Sequence, residues 1–168
     1  KKGNTLLVWE DAIKIPWGII LLFGGGMALA TGFQTTGLAV WLGNQMGLLE
    51  EMSLFVLVLI IVAVVNFLTE VTSNLATAAM LMPILAPIAL NLEVNPFILM
   101  VATTVAASCA FMLPVATPPN AVVFGSGYLK ISDMIKSGFW LNIISILFLT
   151  LMVYFILPLL WDLEKLAL

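Results

Sequence analysis

The charged residues of this chain leave long stretches with no charge, and these stretches constrain the fold more than any other feature. They are predominantly apolar and comprise residues 15–49, 52–69, 71–92, 94–129 and 137–161. A helix that crosses the hydrocarbon core of a bilayer needs about 20 apolar residues. Blocks of this length therefore predict an all-α polytopic membrane protein.

The composition excludes several classes of function. Charged residues make up 9% of the chain, whereas soluble domains carry roughly a quarter, so a soluble fold would lack polar side chains for its surface. All six basic residues are lysines, which is too few for a nucleic-acid face. Histidine is absent, and no two acids lie together within the blocks, so we expect neither an enzyme nor a cofactor. The single cysteine, Cys109, is interpreted as a small buried apolar residue.

Residues 53–91 predict a re-entrant helical hairpin with its tip at 69–75. Its two apolar limbs, 53–68 and 76–91, have 16 residues each, which gives about 24 Å of helix, slightly short of a full crossing. Such limbs suit a hairpin that enters and leaves at one membrane face, with its polar tip inside the protein. Two short spans joined by a surface loop are the alternative, although the tip lacks the Gly, Lys or Arg of such a loop.

Residues 96–129 predict a transmembrane helix that is broken at 114–120. Three prolines fall within six residues of the break, and they can neither continue a helix nor donate a backbone hydrogen bond. The carbonyl groups around Val115–Thr117 are therefore expected to be free to face a ligand.

The remaining segments complete the predicted topology of a connector followed by a transmembrane domain at 17–168. Residues 1–16 are interpreted as a cytoplasmic connector, 17–43 as a Gly-rich span and 137–160 as the final span. The triplet Gly24–Gly26 indicates close helix packing or, alternatively, local unwinding. Placing the N-terminus in the cytoplasm and the C-terminus outside puts five of the six lysines inside, as the positive-inside tendency favours.

Two interrupted segments in one membrane chain predict a common binding site. Non-helical backbone survives at membrane depth only against protein or a wet cavity, and discontinuous helices of this kind build the sites of secondary transporters. Neutral hydroxyl, amide and carbonyl oxygens suit Na⁺, and the helix N-termini that follow each interruption suit an anion. Glu70 is the one ionisable group at this depth. It is interpreted either as a proton or cation site or as a carboxylate that caps backbone N–H groups.

Three stretches of the chain resemble the divalent anion/sodium symporter family, which contains the di- and tricarboxylate and sulfate carriers. They are Thr69–Thr77 with Pro83, Leu113–Ala121 with Phe124–Gly127, and Leu22–Gly26. The resemblance covers nearly the whole chain but only the second repeat of the family. It implies one half of an inverted-repeat elevator transporter, with a missing first-repeat half as its partner and a homodimeric assembly.

The resemblance also implies roles for individual residues. Sodium would be held by Thr69, Thr72, Asn74 and Ala116, in part through backbone carbonyls. The anionic substrate would be held by Ser73, Asn74, Leu75, Thr117, Pro118 and Asn120. Leu75 departs from the family motif, which has threonine there, and leucine cannot donate a hydroxyl hydrogen bond.

The expected function is sodium-coupled transport of divalent anions, such as the C4-dicarboxylate succinate, across the cytoplasmic (inner) membrane. Na⁺ would be the coupling ion, with no other cofactor. The alternatives are a small polytopic scaffold or subunit without transport activity, or a sulfate carrier, tricarboxylate carrier or anion exchanger of the same family. In a scaffold, the polar residues at 69–74 would form a surface loop.

Overall fold

The structure is a computed structural model that describes residues 8–14 and 52–161 together with several isolated positions between them. These positions are residues 17, 20–21, 24–25, 28, 31–32, 35–38 and 41. Much of the predicted Gly-rich span at 17–43 and of the connector at 1–16 therefore lies outside the described residues.

All regular secondary structure in the described part of the chain is helical, as predicted. The helices are α1 (Trp9–Ala12), α2 (Leu54–Thr69), α3 (Asn74–Asn91), α4 (Pro96–Ala107), α5 (Pro118–Gly125), α6 (Ile131–Leu151) and α7 (Leu157–Trp161). A π-helical turn at Met152–Ile156 joins α6 to α7 without a break. Among these helices, α3 and the continuous stretch Ile131–Trp161 are long and apolar enough to cross a membrane, whereas α2 and α4 are apolar but shorter.

Short polar side chains determine where four of these helices begin. The caps are Ser53 for α2, Ser73 for α3, Asn95 for α4 and Thr117 for α5, and each accepts a hydrogen bond from a backbone N–H in the first helical turn. Proline occupies the start of α4 and of α5, where the missing N–H would have had no helical partner in any case. These caps fix the ends of both interruptions on their C-terminal side.

Helix α4 forms the centre of the described core. It packs against both α2 and α3, which contact each other much less, and α6 covers the side formed by α2 and α4. The fully buried core residues include Val58, Val62, Leu99, Ala102 and Ala106. The two limbs of the predicted hairpin are thus splayed around α4, and their connection at 70–73 lies beside the end of α4.

The break between α4 and α5 differs from its predicted position. It covers residues 108–117 rather than 114–120, because α4 already ends at Ala107 and Pro118 begins α5. Pro118 and Asn120, which were predicted within the break, are helical. The prolines therefore mark the end of the break, and its beginning is set by contacts from other helices that are described below.

Two other boundaries also differ from the sequence predictions. The connection between α2 and α3 is shorter than the predicted tip at 69–75, because Thr69 ends one helix and Asn74 begins the next. The final helix begins at Ile131 rather than at 137. Its first turns carry the exposed charged residues Asp133 and Lys136, which an uncharged block cannot include.

Candidate functional site

Three oxygen atoms meet where α2 and α4 end and α3 begins. The hydroxyl oxygen of Thr69 lies 2.9 Å from Oδ1 of Asn74 and 2.8 Å from the backbone oxygen of Ala107. Thr69 is fully buried. A threonine hydroxyl has one proton and can donate to one of these oxygens only, so the cluster holds more acceptors than donors. A small cation would satisfy the oxygen atom that receives no hydrogen bond.

The ends of three helices give the two sides of the site opposite partial charges. Helix α2 ends at Thr69 and α4 ends at Ala107, and the C-terminus of a helix carries partial negative charge. The 18-residue helix α3 begins at Asn74, where its N-terminus carries partial positive charge. The partial charge is therefore negative beside Thr69 and Ala107 and positive beside the first turn of α3.

Thr72 and Ser73 stabilise the connection between α2 and α3. The Thr72 hydroxyl lies 2.9 Å from the backbone oxygen of Leu68 and 2.5 Å from the hydroxyl of Thr77. The Ser73 hydroxyl accepts a hydrogen bond of 3.1 Å from the backbone N–H of Ala76. Both side chains thus shape the connection itself, and Leu75 beside them is 46% exposed at the start of α3.

Glu70 joins this connection to the break between α4 and α5. The residue is 3% exposed, and its carboxylate accepts hydrogen bonds from the backbone N–H groups of Phe111, Met112 and Leu113 at 2.8–3.1 Å. The side chain of Asn142 donates a further bond of 2.7 Å. Every one of these groups donates to the carboxylate, as expected if Glu70 caps backbone N–H groups. Glu70 therefore replaces the helical partners that these three N–H groups would otherwise have had.

Buried polar side chains also lie between α2 and α6, near this carboxylate in the sequence or in contact with it. Nδ2 of Asn66 donates to the backbone oxygen of Cys109 at 2.7 Å and to the hydroxyl of Ser145 at 3.2 Å. Asn66 and Asn142 are fully buried, and their Oδ1 atoms accept no hydrogen bond from the described residues. The start of the break is thus tied to α2 at Cys109 and to the connection after α2 at Phe111.

The side chain of Asn120 holds the break closed from its other end. Its Nδ2 donates to the backbone oxygens of Ala110 at 3.0 Å and Leu113 at 3.1 Å, and its backbone N–H donates to the Thr117 hydroxyl at 3.3 Å. Ala116 is buried, and its N–H donates to the oxygen of Leu113 at 3.2 Å. The amide of Asn120, predicted to bind substrate, is therefore engaged by the protein backbone.

The structure thus brings some of the predicted site residues together and leaves others apart. Thr69 and Asn74 are in direct contact, whereas Ala116 and Thr117 form no hydrogen bond with either of them in the described residues. The two interrupted segments nevertheless meet, because Glu70 and Thr69 on one side contact 111–113 and Ala107 on the other. Pro118 is exposed at the first position of α5.

Sequence reasoning did not identify Ala107, Asn142 or Gly138 as parts of this site. A backbone oxygen such as that of Ala107 leaves no mark in a sequence. Asn142 could have been found, because an amide in the middle of the apolar block 137–161 is costly unless it has a partner. Gly138 lies one helical turn before Asn142 and faces the same segment.

Comparison with known proteins supports the predicted family. Residues 4–161 match the sodium:sulfate symporter transmembrane region. A sodium-dependent dicarboxylate transporter SdcS of Staphylococcus saprophyticus is 51% identical over 158 residues, and the proteins of that name from Staphylococcus aureus strains MRSA252 and USA300 are 48% and 47% identical. Each alignment covers 94% of this chain and 30% of the relative, so the chain spans about a third of the length of these transporters. The predicted resemblance is confirmed, and the chain belongs to the sodium:sulfate symporter family and forms part of its membrane-embedded region.

Proposed function

We propose that this chain is the second-repeat half of a sodium-coupled secondary transporter of divalent anions, with C4-dicarboxylates such as succinate as substrates. Its relatives are named sodium-dependent dicarboxylate transporters, and the 158 aligned residues, about 50% of them identical, include both interrupted segments. In the proposed cycle, Na⁺ binds first, the anion follows, and the loaded unit slides past a scaffold in an elevator motion. The N-terminus would lie in the cytoplasm, the C-terminus outside the inner membrane, and the first-repeat half would supply the facing hairpin within a homodimer.

The observation that carries the sodium site is the excess of acceptors around Thr69. Its hydroxyl lies within 2.9 Å of two further oxygens and has one proton to share. Neutral hard oxygens near the negative ends of two helices favour a monovalent hard cation over transition metals, which prefer nitrogen or sulfur ligands. Among the described residues no group of three or more His, Cys, Asp or Glu side chains could hold a metal ion. Thr72 and Ala116 would complete the site through backbone oxygens.

The anion would lie beside the first turns of α3 and α5, with Ser73, Asn74, Leu75, Thr117, Pro118 and Asn120 around it. No Lys or Arg is present between residues 15 and 129, so nearby side chains cannot neutralise a dianion. Helix N-termini offer only partial positive charge. The bound Na⁺ would supply the rest, and this dependence is the physical basis of coupling.

The sodium site is tested by removing the Thr69 hydroxyl with little change in volume. Thr69→Val should raise the Na⁺ concentration that gives half-maximal succinate uptake by about tenfold, the ratio expected when one ligand hydrogen bond or ion contact is lost. Thr103→Val is the matched control, because Thr103 is equally buried and its hydroxyl bonds only to Leu99 in its own helix. Uptake is measured in proteoliposomes that contain the whole transporter. Equal sodium dependence in both variants would remove Thr69 from the site.

A second comparison tests Asn74 and the transport function together. Asn74→Ala should weaken the sodium dependence of uptake, whereas Asn91→Ala at the opposite end of the same helix should leave it unchanged. Competition by sulfate, citrate and succinate would rank the substrates. A whole protein that takes up none of these anions when Na⁺ is supplied would favour the scaffold alternative.

A further inference from the structure

Helix α6 carries none of the residues proposed to bind Na⁺ or the anion, yet it contacts the break closely at Gly138. A methyl group on Gly138 would lie 2.3 Å from the backbone oxygen of Phe111 and 2.6 Å from the Cα of Met112. Both atoms belong to the backbone, so a side chain at this position requires the break to shift. The segment at 111–112 therefore rests directly on the backbone of α6.

One turn further along α6, Asn142 fixes the carboxylate that holds the same segment. Its Nδ2 donates at 2.7 Å to Oε1 of Glu70, and that oxygen also accepts the N–H groups of Phe111 at 2.8 Å and Met112 at 3.0 Å. Asn142 is fully buried between α6 and α2. Steric contact at Gly138 and hydrogen bonding at Asn142 thus hold one turn of the break from the same helix.

The position of this turn is passed along the backbone to Ala116. The N–H of Leu113 donates to Oε2 of Glu70 at 3.1 Å, and the oxygen of Leu113 accepts the N–H of Ala116 at 3.2 Å. The same oxygen accepts the side chain of Asn120 at 3.1 Å. A displacement of 111–112 therefore moves Ala116, whose carbonyl is one of the proposed sodium ligands.

From these contacts we infer that Gly138 and Asn142 are positioning residues for the sodium site, acting from the final helix through the break. The inference rests on the proposed function, in which Ala116 contributes a carbonyl to Na⁺. A backbone carbonyl cannot be deleted by replacing its own side chain. The residues that place it are therefore the means by which its contribution can be measured.

The test compares two glycines that differ in what surrounds them. Gly138→Ala should raise the Na⁺ concentration for half-maximal succinate uptake about tenfold or more, because ligand geometry within a site must hold to about half an ångström. Gly125→Ala is the matched control, since Gly125 is also helical and a methyl group there would meet nothing within 4 Å. Uptake by the whole transporter is normalised to the amount of protein in the membrane. A merely structural role would lower that amount and leave the sodium dependence unchanged.

A milder variant keeps the inference testable if Gly138→Ala does not fold. Asn142→Ala removes one hydrogen bond to a carboxylate and should raise the same Na⁺ concentration by about tenfold, while Asn142→Gln, which retains an amide donor, should restore part of the sodium affinity. If Asn74→Ala alters sodium dependence while Gly138→Ala and Asn142→Ala match Gly125→Ala, the positioning role is wrong and the sodium site stands. If Asn74→Ala and Thr69→Val also have no effect, the proposed sodium site is wrong and the inference falls with it.

Discussion

The connection between α2 and α3 and the break between α4 and α5 differ in how their backbone polar groups are hydrogen-bonded. Each exposes backbone polar groups between two helix ends inside an apolar fold, where unpaired groups are costly. The connection at 70–73 is stabilised mainly by residues within or next to it, including Thr72, Ser73 and Thr77. The break at 108–117 depends on Glu70, which belongs to that connection, and on Asn142 of α6.

The connection is therefore held mainly by its own hydrogen bonds, whereas the break is held mainly by hydrogen bonds to residues outside it. The connection has few ways to move without breaking its own hydrogen bonds. The hydrogen bonds of the break reach Glu70 in the connection and, through Glu70, Asn142 of α6, so the position of its backbone is tied to both.

The largest expected effect comes from removing hydrogen bonds that Glu70 accepts from the break. Glu70→Gln keeps one acceptor oxygen but replaces the other, which accepts the N–H groups of Met112 and Leu113, with an NH2 group that can only donate. The free energy of unfolding should fall by about 3 kcal/mol, the cost of leaving buried donors unpaired. Thermal unfolding of the purified transporter measures this loss. Glu93→Gln, at an exposed glutamate between α3 and α4, is the control. Equal unfolding temperatures for the two variants would contradict the claim that Glu70 stabilises the break.

The second prediction concerns the opposite end of the break. Asn120→Ala removes the two hydrogen bonds to the oxygens of Ala110 and Leu113 and should cost about 2 kcal/mol. Asn120→Asp should cost more, because a carboxylate would face two carbonyl oxygens. Unfolding measured without substrate separates this role from anion binding. A greater loss in the alanine variant than in the aspartate variant would show that the amide does not donate to these oxygens.

The contacts behind these predictions show which parts of the site can be predicted from the sequence. The residues that stabilise the connection lie between Leu68 and Thr77 in the sequence, so their pattern is visible there. The partner that ends α4 early is Glu70, which is 41 residues away from Phe111. The prolines drew the predicted break toward 114–120 because they are the local signal, although Pro118 sits where a helix tolerates proline. The all-helical fold followed from composition, whereas the hydrogen bonds that hold the break required tertiary contacts.

A smaller effect is expected within the connection itself. Thr77→Val keeps the volume of a fully buried side chain but removes its contact with the Thr72 hydroxyl. The loss should be about 1 kcal/mol, because Thr72 keeps its bond to the oxygen of Leu68. Thr150→Val is the matched control, since Thr150 is equally buried and bonds only within its own helix. Equal losses in the two variants would mean that the Thr72 contact adds nothing to stability.

The smallest effect on stability separates the two roles of Ser73. Its hydroxyl caps α3, and it is also proposed to contact the anion. Replacing such a cap with alanine costs about 1 kcal/mol, whereas glycine costs only a few tenths. Ser73→Gly should therefore unfold almost like the parent protein, and Ser73→Ala should be measurably less stable. Both variants lack the hydroxyl, so anion binding by Ser73 predicts that the KM for succinate rises equally in both. A KM that rises in the alanine variant alone would assign the hydroxyl to capping, and the connection would then act on substrate only through its shape.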